Sequence, residues 1–241
     1  MNNVSIVIIT LNEESRIGNI LSDLKKQTRK GFEVIVVDSK SSDATVSTAK
    51  EFEPDFNEFK IIEMEQQGVS LGRNTGAEHA KYERLLFLDA DVRLSPTFLE
   101  EAADYFAETK IKVCTGAMTA SPDENRLVKI GVNVFYWGMK LTQLVFPTAV
   151  GACIFSTKTV HQEIGGFDES ISLCEDCDYA RRASQVYQFR VAPLKFEFDA
   201  RRLNQDGIFK TGLTYLKANI YRLFKGEIRN NEIPYSFGHY R

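Results

Sequence analysis

The chain has 241 residues, 43% hydrophobic and 26% charged, enough to bury a full core as one large α/β domain. Its 30 basic and 33 acidic residues leave a net charge of -3, which removes any global electrostatic case for nucleic acid as a partner and requires any anion site to be local. The four cysteines, Cys114, Cys153, Cys174 and Cys177, contain a single C-x-x-C pair and no second pair to complete a zinc set, so they read as isolated buried thiols of a reducing cytoplasm.

Val4 to Ile9 follows no basic lead and runs straight into Thr-Leu-Asn-Glu-Glu, so it reads as a first strand, Val4 to Thr10, and not as a signal peptide. Arg16 to Gln27 is expected to be helical, with Ile17, Ile20, Leu21 and Leu24 on one face, and Phe32 to Val37 is a second buried strand. Ser42 and Asp43 offer an N-cap to a helix through Phe52; Phe59 to Met64 returns as a strand; Gly72 to His79 starts another helix before the strand that ends at Asp89. This alternation with short connections predicts a doubly wound, mostly parallel sheet. Further on, Pro96 to Phe106 suits a helix and Lys112 to Thr119 a strand. Leu127 to Phe146 carries Leu127, Ile130, Val134, Leu141 and Val145 at helical spacing, Val150 to Ser156 is a small-residue strand, and Leu213 to Phe224 is an amphipathic helix in a less regular C-terminal third. The apolar stretch from Val132 to Gly151 contains Lys140, Gln143 and Pro147, which makes it a poor membrane-spanning helix.

The segment Arg84-Leu85-Leu86-Phe87-Leu88-Asp89-Ala90-Asp91 carries the most information. An apolar run fit for burial on both faces ends in two carboxylates one residue apart, and at the rim of a sheet such acids leave the core to meet something positive. A divalent metal carrying a nucleoside diphosphate is the natural candidate. Three other polar junctions are expected at strand ends: Thr10-Leu11-Asn12-Glu13-Glu14, Asp38-Ser39-Lys40-Ser41-Ser42-Asp43 and Glu175-Asp176. Singly, each reads as caps and turn formers; at the ends of neighbouring parallel strands they converge.

In this order, Ser5-Ile6-Val7-Ile8-Ile9-Thr10-Leu11-Asn12-Glu13, Val36-Val37-Asp38 with Ser41-Ser42-Asp43, Gly72-Arg73-Asn74-Thr75-Gly76-Ala77, Phe87-Leu88-Asp89-Ala90-Asp91, Gly165-Gly166-Phe167-Asp168 and Glu175-Asp176 resemble the motifs of the family 2 glycosyltransferases, which use the glycosyltransferase-A fold. The resemblance runs from Val4 to about Arg182. It implies a Rossmann-like, mostly parallel central sheet flanked by helices, with an irregular helical C-terminal part. It also implies one domain, residues 1–91 forming the nucleotide-sugar half and 92–241 the acceptor half.

On the same resemblance, Thr10, Asn12, Glu13 and Asp38 hold the base and ribose, and Arg73 lies in a segment that closes over the donor, reaching base or phosphate. Asp91, with Asp89, holds Mg2+ or Mn2+, while Asp89 also contacts sugar or ribose. Asp176 is the catalytic base of an inverting transfer, with Glu175 orienting it or an acceptor hydroxyl. Asp199-Ala200-Arg201-Arg202 resembles a Ser-Ala-Arg-Arg segment of some bacterial members with Asp in the Ser position, and Arg201 and Arg202 would clamp a diphosphate. Asp199 and His239 are candidates for a third metal ligand.

The activity so implied is transfer of a sugar from a UDP- or GDP-sugar to a hydroxyl acceptor, lipid-linked or part of a growing cell-surface glycan, in the cytoplasm. The stripes in 132–146 and 213–224, with Lys217, Arg222 and Lys225, read either as core faces of packed helices or as a peripheral contact with the inner face of the membrane. Two other functions compete: an inert nucleotide-sugar-binding or scaffold protein of the same fold, and a sugar nucleotidyltransferase. The latter wants a Gly-rich basic loop after the first strand, where this chain has Thr10-Leu11-Asn12-Glu13-Glu14.

Overall fold

The computed structural model describes residues 3–229. Its first part alternates as expected: β1 (Val4–Thr10), α1 (Ile17–Lys25), β2 (Phe32–Asp38), α2 (Thr45–Lys50), β3 (Phe59–Glu63), α3 (Val69–His79) and β4 (Arg84–Asp89). Then follow β5 (Val92–Leu94), α4 (Phe98–Thr109), β6 (Val113–Ala120), α5 (Arg126–Thr142), β7 (Cys153–Thr157), α6 (Lys158–Glu163), α7 (Glu175–Ser184), β8 (Phe189–Phe198), α8 (Arg201–Asp206) and α9 (Ile208–Lys225).

The strands form one eight-stranded sheet in the order β3-β2-β1-β4-β7-β6-β8-β5. β1 pairs in parallel with β2 and β4, and β2 with β3. β7 then runs antiparallel to both β4 and β6, β8 is parallel to β6, and β5 is antiparallel to β8. β8 escapes a reading by alternation because Pro193 interrupts it. The register of β6 on β8 slips between Thr115 and Ala117, opposite the stretch from Val191 to Lys195, and a bulge is where a strand tolerates a residue that cannot donate to the ladder.

Helices cover both faces, which is why the parallel strands are continuous apolar runs instead of alternating ones. Ile6, Ile8, Leu86 and Leu88 pack with Ile17, Leu21 and Leu24 of α1 and Phe98 of α4. On the other face Val7, Val37, Leu85 and Phe87 pack with Ala77 of α3 and Tyr179 of α7. The approach of α3 to the sheet depends on Gly76: a Cβ there would lie 2.2 Å from Cγ1 of Val7. The glycine that weakens a helix in isolation is what lets this one sit down on β1.

α5 and α9 depart from the expectation of core faces. The buried side of α5 is Val128, Val132 and Met139, whereas the stripe legible in the sequence faces outward, with Leu141 80% and Val145 91% exposed. α9 buries Thr211, Ala218 and Arg222 and exposes its leucine stripe. A helix with two apolar sides has no single direction of burial in its sequence, and the neighbours decide which side is covered. Among the described residues, no helix is long and apolar enough to cross a membrane.

Gly76→Ala tests the packing of α3. The added methyl gains about 1 kcal/mol of helix propensity but meets Val7, and overpacking of this kind costs about 1–3 kcal/mol. The expected outcome is a lower urea midpoint at unchanged m-value; a raised midpoint would show that α3 can withdraw from β1.

Candidate functional site

The register of the parallel strands brings three of the four polar junctions together. Thr10 pairs with Asp38, Ile9 with Asp89, and Asp38 with Glu63, so the ends of β1, β2, β3 and β4 form one rim. The fourth junction arrives differently from expectation: Glu175 and Asp176 follow no strand but open α7. α3 and the loop before α7, not strand pairing, deliver them to the rim.

At the β1–β2 end, Thr10 and Asp38 are buried. The Asp38 carboxylate accepts from Thr10 Oγ1 (2.8 Å), Ser41 Oγ (2.6 Å) and the Ser41 backbone N–H (2.8 Å). Asn12 adopts a left-handed conformation with φ of 55°, its N–H donating to Ser41 Oγ (2.8 Å) and its Oδ1 accepting from the Ser42 N–H (2.9 Å). Thr10 and Asn12 therefore spend their polar atoms joining two loops. Asp38 retains free acceptor capacity on Oδ2, and lines a cleft of about 480 Å³ with Lys40, Ser41, Glu63, Met64 and Glu65.

Arg73, expected in a segment that closes over the donor, belongs to a helix packed on the sheet. It lies in α3 with its side chain 2% exposed, donating from Nη1 to Glu175 Oε1 (2.8 Å) and from Nη2 to Asp89 Oδ1 (3.1 Å), its guanidinium over the Phe167 ring at 5.2 Å. Burial alone would lower its pKa, but Asp89, Glu175 and Asp176 outweigh it and hold the charge. A free-standing buried charge is too costly to persist, so the guanidinium is aimed at acids. The adjacent Asn74 holds the loop before α7: its Nδ2 donates to the Phe167 carbonyl (2.9 Å) and Glu169 Oε1 (2.8 Å), and its Oδ1 accepts from the Phe167 N–H (2.8 Å). Gly165 and Gly166 both have positive φ, and a Cβ on Gly166 would lie 2.8 Å from Asn74 Oδ1. The Gly-Arg-Asn and Gly-Gly-Phe-Asp segments are thus two halves of one joint.

Asp91 stands in a group of acids that the nearby cations do not balance. Arg201 Nη2 reaches Asp91 Oδ2 (3.0 Å) and also bonds Glu13 Oε1, while Arg16 pairs with Asp199. Burial first, then the charges of Asp89 and Glu13, push the Asp91 carboxyl up to about 7 against the pull of Arg201. Burial likewise raises Asp89 and Glu13. Glu13 Oε2 is buried with no hydrogen-bond partner. Carboxylates in such surplus over the cations beside them fit a hard divalent cation. Among the described residues no three His, Cys, Asp or Glu side chains converge at metal-ligand spacing, so Asp91 and Asp89 would share the ion with ligand oxygens. Asp199 joins this group through β8. His239 lies outside the described residues, as does the Arg202 side chain.

Asp176 faces the other end of the rim. It is half-buried, its Oδ2 accepting from the Gly151 N–H and its Oδ1 from the Cys177 N–H, both at 2.7 Å. Burial, then Glu175, raise its carboxyl to about 6, while Arg73 and the two backbone donors pull it down. That value suits a general base near neutral pH. Gly151 escaped the sequence reading, since its requirement is tertiary: a Cβ would lie 2.6 Å from Arg73 Nη2 and 3.2 Å from Asp176 Oδ2.

Residues 5–164 match the model of glycosyl transferase family 2. The chain is similar to glycosyltransferase AglE of Haloferax volcanii, 34% identical over 188 residues that make up 76% of this chain and 62% of AglE. It spans 33%, 62% and 30% of the length of three curated relatives. Among solved structures, mannosyltransferase PcManGT from Pyrobaculum calidifontis, in complex with GDP-Man and Mn2+, is similar with a TM-score of 0.69 at 20% identity, covering 89% of this chain and 64% of that one. S. aureus TarS 1–349 in complex with UDP-GlcNAc gives 0.65 at 21% identity, covering 82% and 58%. These likenesses establish the glycosyltransferase-A fold expected from the sequence.

The Asp91 group generates a pH-dependent prediction. A carboxyl whose folded-state value, about 7, lies above its unfolded value imposes a cost that is complete above pH 7 and is relieved progressively as pH falls from 7 toward the unfolded value near 4. Asp91→Asn is therefore expected to raise the melting temperature of the ligand-free protein at pH 8 by about 3 °C or more, the advantage fading toward pH 5. Calorimetric melting across pH checks it, and equal melting temperatures of the two proteins at pH 8 would refute it.

Proposed function

Because the chain belongs to glycosyl transferase family 2, we propose that it moves a sugar from a nucleoside diphosphate sugar, UDP- or GDP-linked, to an acceptor hydroxyl with inversion at the anomeric carbon. The observation that carries this reading is the Arg73 guanidinium, which touches Asp89 through one nitrogen and Glu175 through another. One rigid group thereby spans the two ends of the rim, the frustrated acids on one side and the half-exposed Asp176 on the other.

In this reading residues 1–91 receive the donor and residues 92–241 the acceptor, a glycan or lipid-linked hydroxyl. The Asp38 cleft takes base and ribose, whose N–H and hydroxyl groups meet its free carboxylate acceptor. Asp91, with Asp89, would hold Mg2+ or Mn2+, which supplies Lewis-acid stabilisation of the departing diphosphate. Arg201 adds a guanidinium to the same oxygens. The acceptor oxygen attacks the anomeric carbon, the carbon–phosphate oxygen bond breaks with its electron pair leaving on the diphosphate, and Asp176 takes the hydroxyl proton. Glu175, tied to Arg73, keeps Asp176 pointed outward and raises its basicity. The four buried free thiols support a reducing compartment.

Asp176→Asn separates this from the inert-fold reading. The expected result is a loss of roughly 10²–10⁴-fold in kcat, with the Kd for donor and Mn2+, read by calorimetry, within about threefold of the parent. The parent's kcat/KM should fall as pH drops below about 6, where Asp176 becomes protonated. Near-parental turnover of the variant would remove Asp176 from the role of base, and donor binding without turnover in the parent would favour a binding protein.

A further inference from the structure

α5 and α9 lie side by side and run in the same direction. A Cβ on Gly131 of α5 would lie 2.5 Å from Cδ1 of Ile208 at the start of α9, and Arg222 near the end of α9 sits over the ring of Phe146 just past α5, at 5.3 Å. Of the thirteen large hydrophobic residues most exposed among those described, twelve belong to this pair and to the short segment after α5. On α5 the stripe passes through Val134, Trp137 and Leu141, and on α9 through Leu216, Ile220 and Leu223, each at the three- and four-residue spacing of one helical face. Exposed apolar stripes on two adjacent helices mark an interaction surface.

The charge pattern chooses the partner. α5 contains Arg126, Lys129 and Lys140, α9 contains Lys210, Lys217 and Lys225 besides the buried Arg222 that pairs with Glu227, and neither helix has a single Asp or Glu, in a chain with 33 acids and net charge -3. A second copy docked through the same face would set cation against cation. An anionic lipid surface accepts both features at once, the apolar stripe entering the headgroup boundary and the lysines meeting lipid charge. Trp137, 56% exposed, is of the type that settles at that boundary. α9 turns Thr211, Ala218 and the partly buried Tyr215 and Tyr221 inward and leaves Leu216, Ile220, Leu223 and Phe224 exposed.

We propose that the α5–α9 face is a docking surface for an anionic membrane, on which the protein lies without crossing. The inference stands on this surface alone and does not require the transfer reaction. Flotation of the full chain with vesicles of phosphatidylcholine alone, and of phosphatidylcholine with phosphatidylglycerol, tests it. Binding is expected to the anionic vesicles only and to weaken with added salt. The Lys217→Glu, Lys225→Glu double variant should bind at least about thirtyfold more weakly, near fivefold for each cation lost, and Trp137→Ser should also bind more weakly. Both variants should keep the parental melting temperature, since the altered side chains face outward. Absence of binding to anionic vesicles, equal binding to neutral ones, or a stable dimer in lipid-free light scattering would each overturn the proposal.

Discussion

Arg73 carries a full charge inside the core, and its surroundings are built around keeping it there. Its two terminal nitrogens bond Asp89 at the end of β4 and Glu175 at the start of α7, with Phe167 beneath the guanidinium. Removal of both Asp89 and Glu175 would strip the guanidinium of its two bonded partners, and breaking a buried pair usually costs about 3–5 kcal/mol. The guanidinium therefore fixes the position of α7 relative to the sheet more tightly than apolar packing alone, which tolerates sliding. Because Asp176 is the next residue after Glu175, this placement also sets the direction of its carboxylate. Asn74, one residue on in α3, locks the preceding loop through both its amide oxygen and nitrogen, so a single turn of helix governs the loop and the helix start together.

The opposite end of the rim is left electrostatically unsatisfied. Glu13, Asp91 and Asp199 meet Arg16 and Arg201 without full balance, the Asp91 carboxyl is pushed up to about 7, and Glu13 keeps a buried oxygen that accepts no hydrogen bond, with Arg16 Nη1 3.8 Å away. A site that is uncomfortable when empty is one that a cation or a ligand bearing one can relieve, and proteins accept such local instability where binding needs it. Arg73 pairs both terminal nitrogens with acids although its Nε is left without a hydrogen bond, whereas Asp91 shares one guanidinium with Glu13.

α5 and α9 show the same principle in apolar form. Both are capable of packing by either side, and the fold turns Thr211, Ala218 and Tyr215 of α9 inward, leaving the leucine stripe outward with Lys217 and Lys225. Surface of that composition is costly in water, at roughly 25 cal/mol per Å² of apolar area, and its absence of acids sets it apart from the rest of an acidic chain.

The sequence by itself determined the parallel strands at the centre of the sheet, though not β5 or β8. Val4–Thr10, Phe32–Asp38 and Arg84–Asp89 are legible because strands buried on both faces must be continuous apolar runs, and the polar residues that stop them stand out. The ordered motifs likewise identified the family and fold. Tertiary structure alone decided what each polar residue does. Thr10 and Asn12 join two loops, Arg73 pairs internally, and Gly151 supplies a backbone N–H to Asp176, because these roles depend on partners 25 to 102 residues away that no local pattern encodes. It also decided which side of α5 and α9 meets the core, since periodicity gives the faces of a helix but only its neighbours determine which of them is covered.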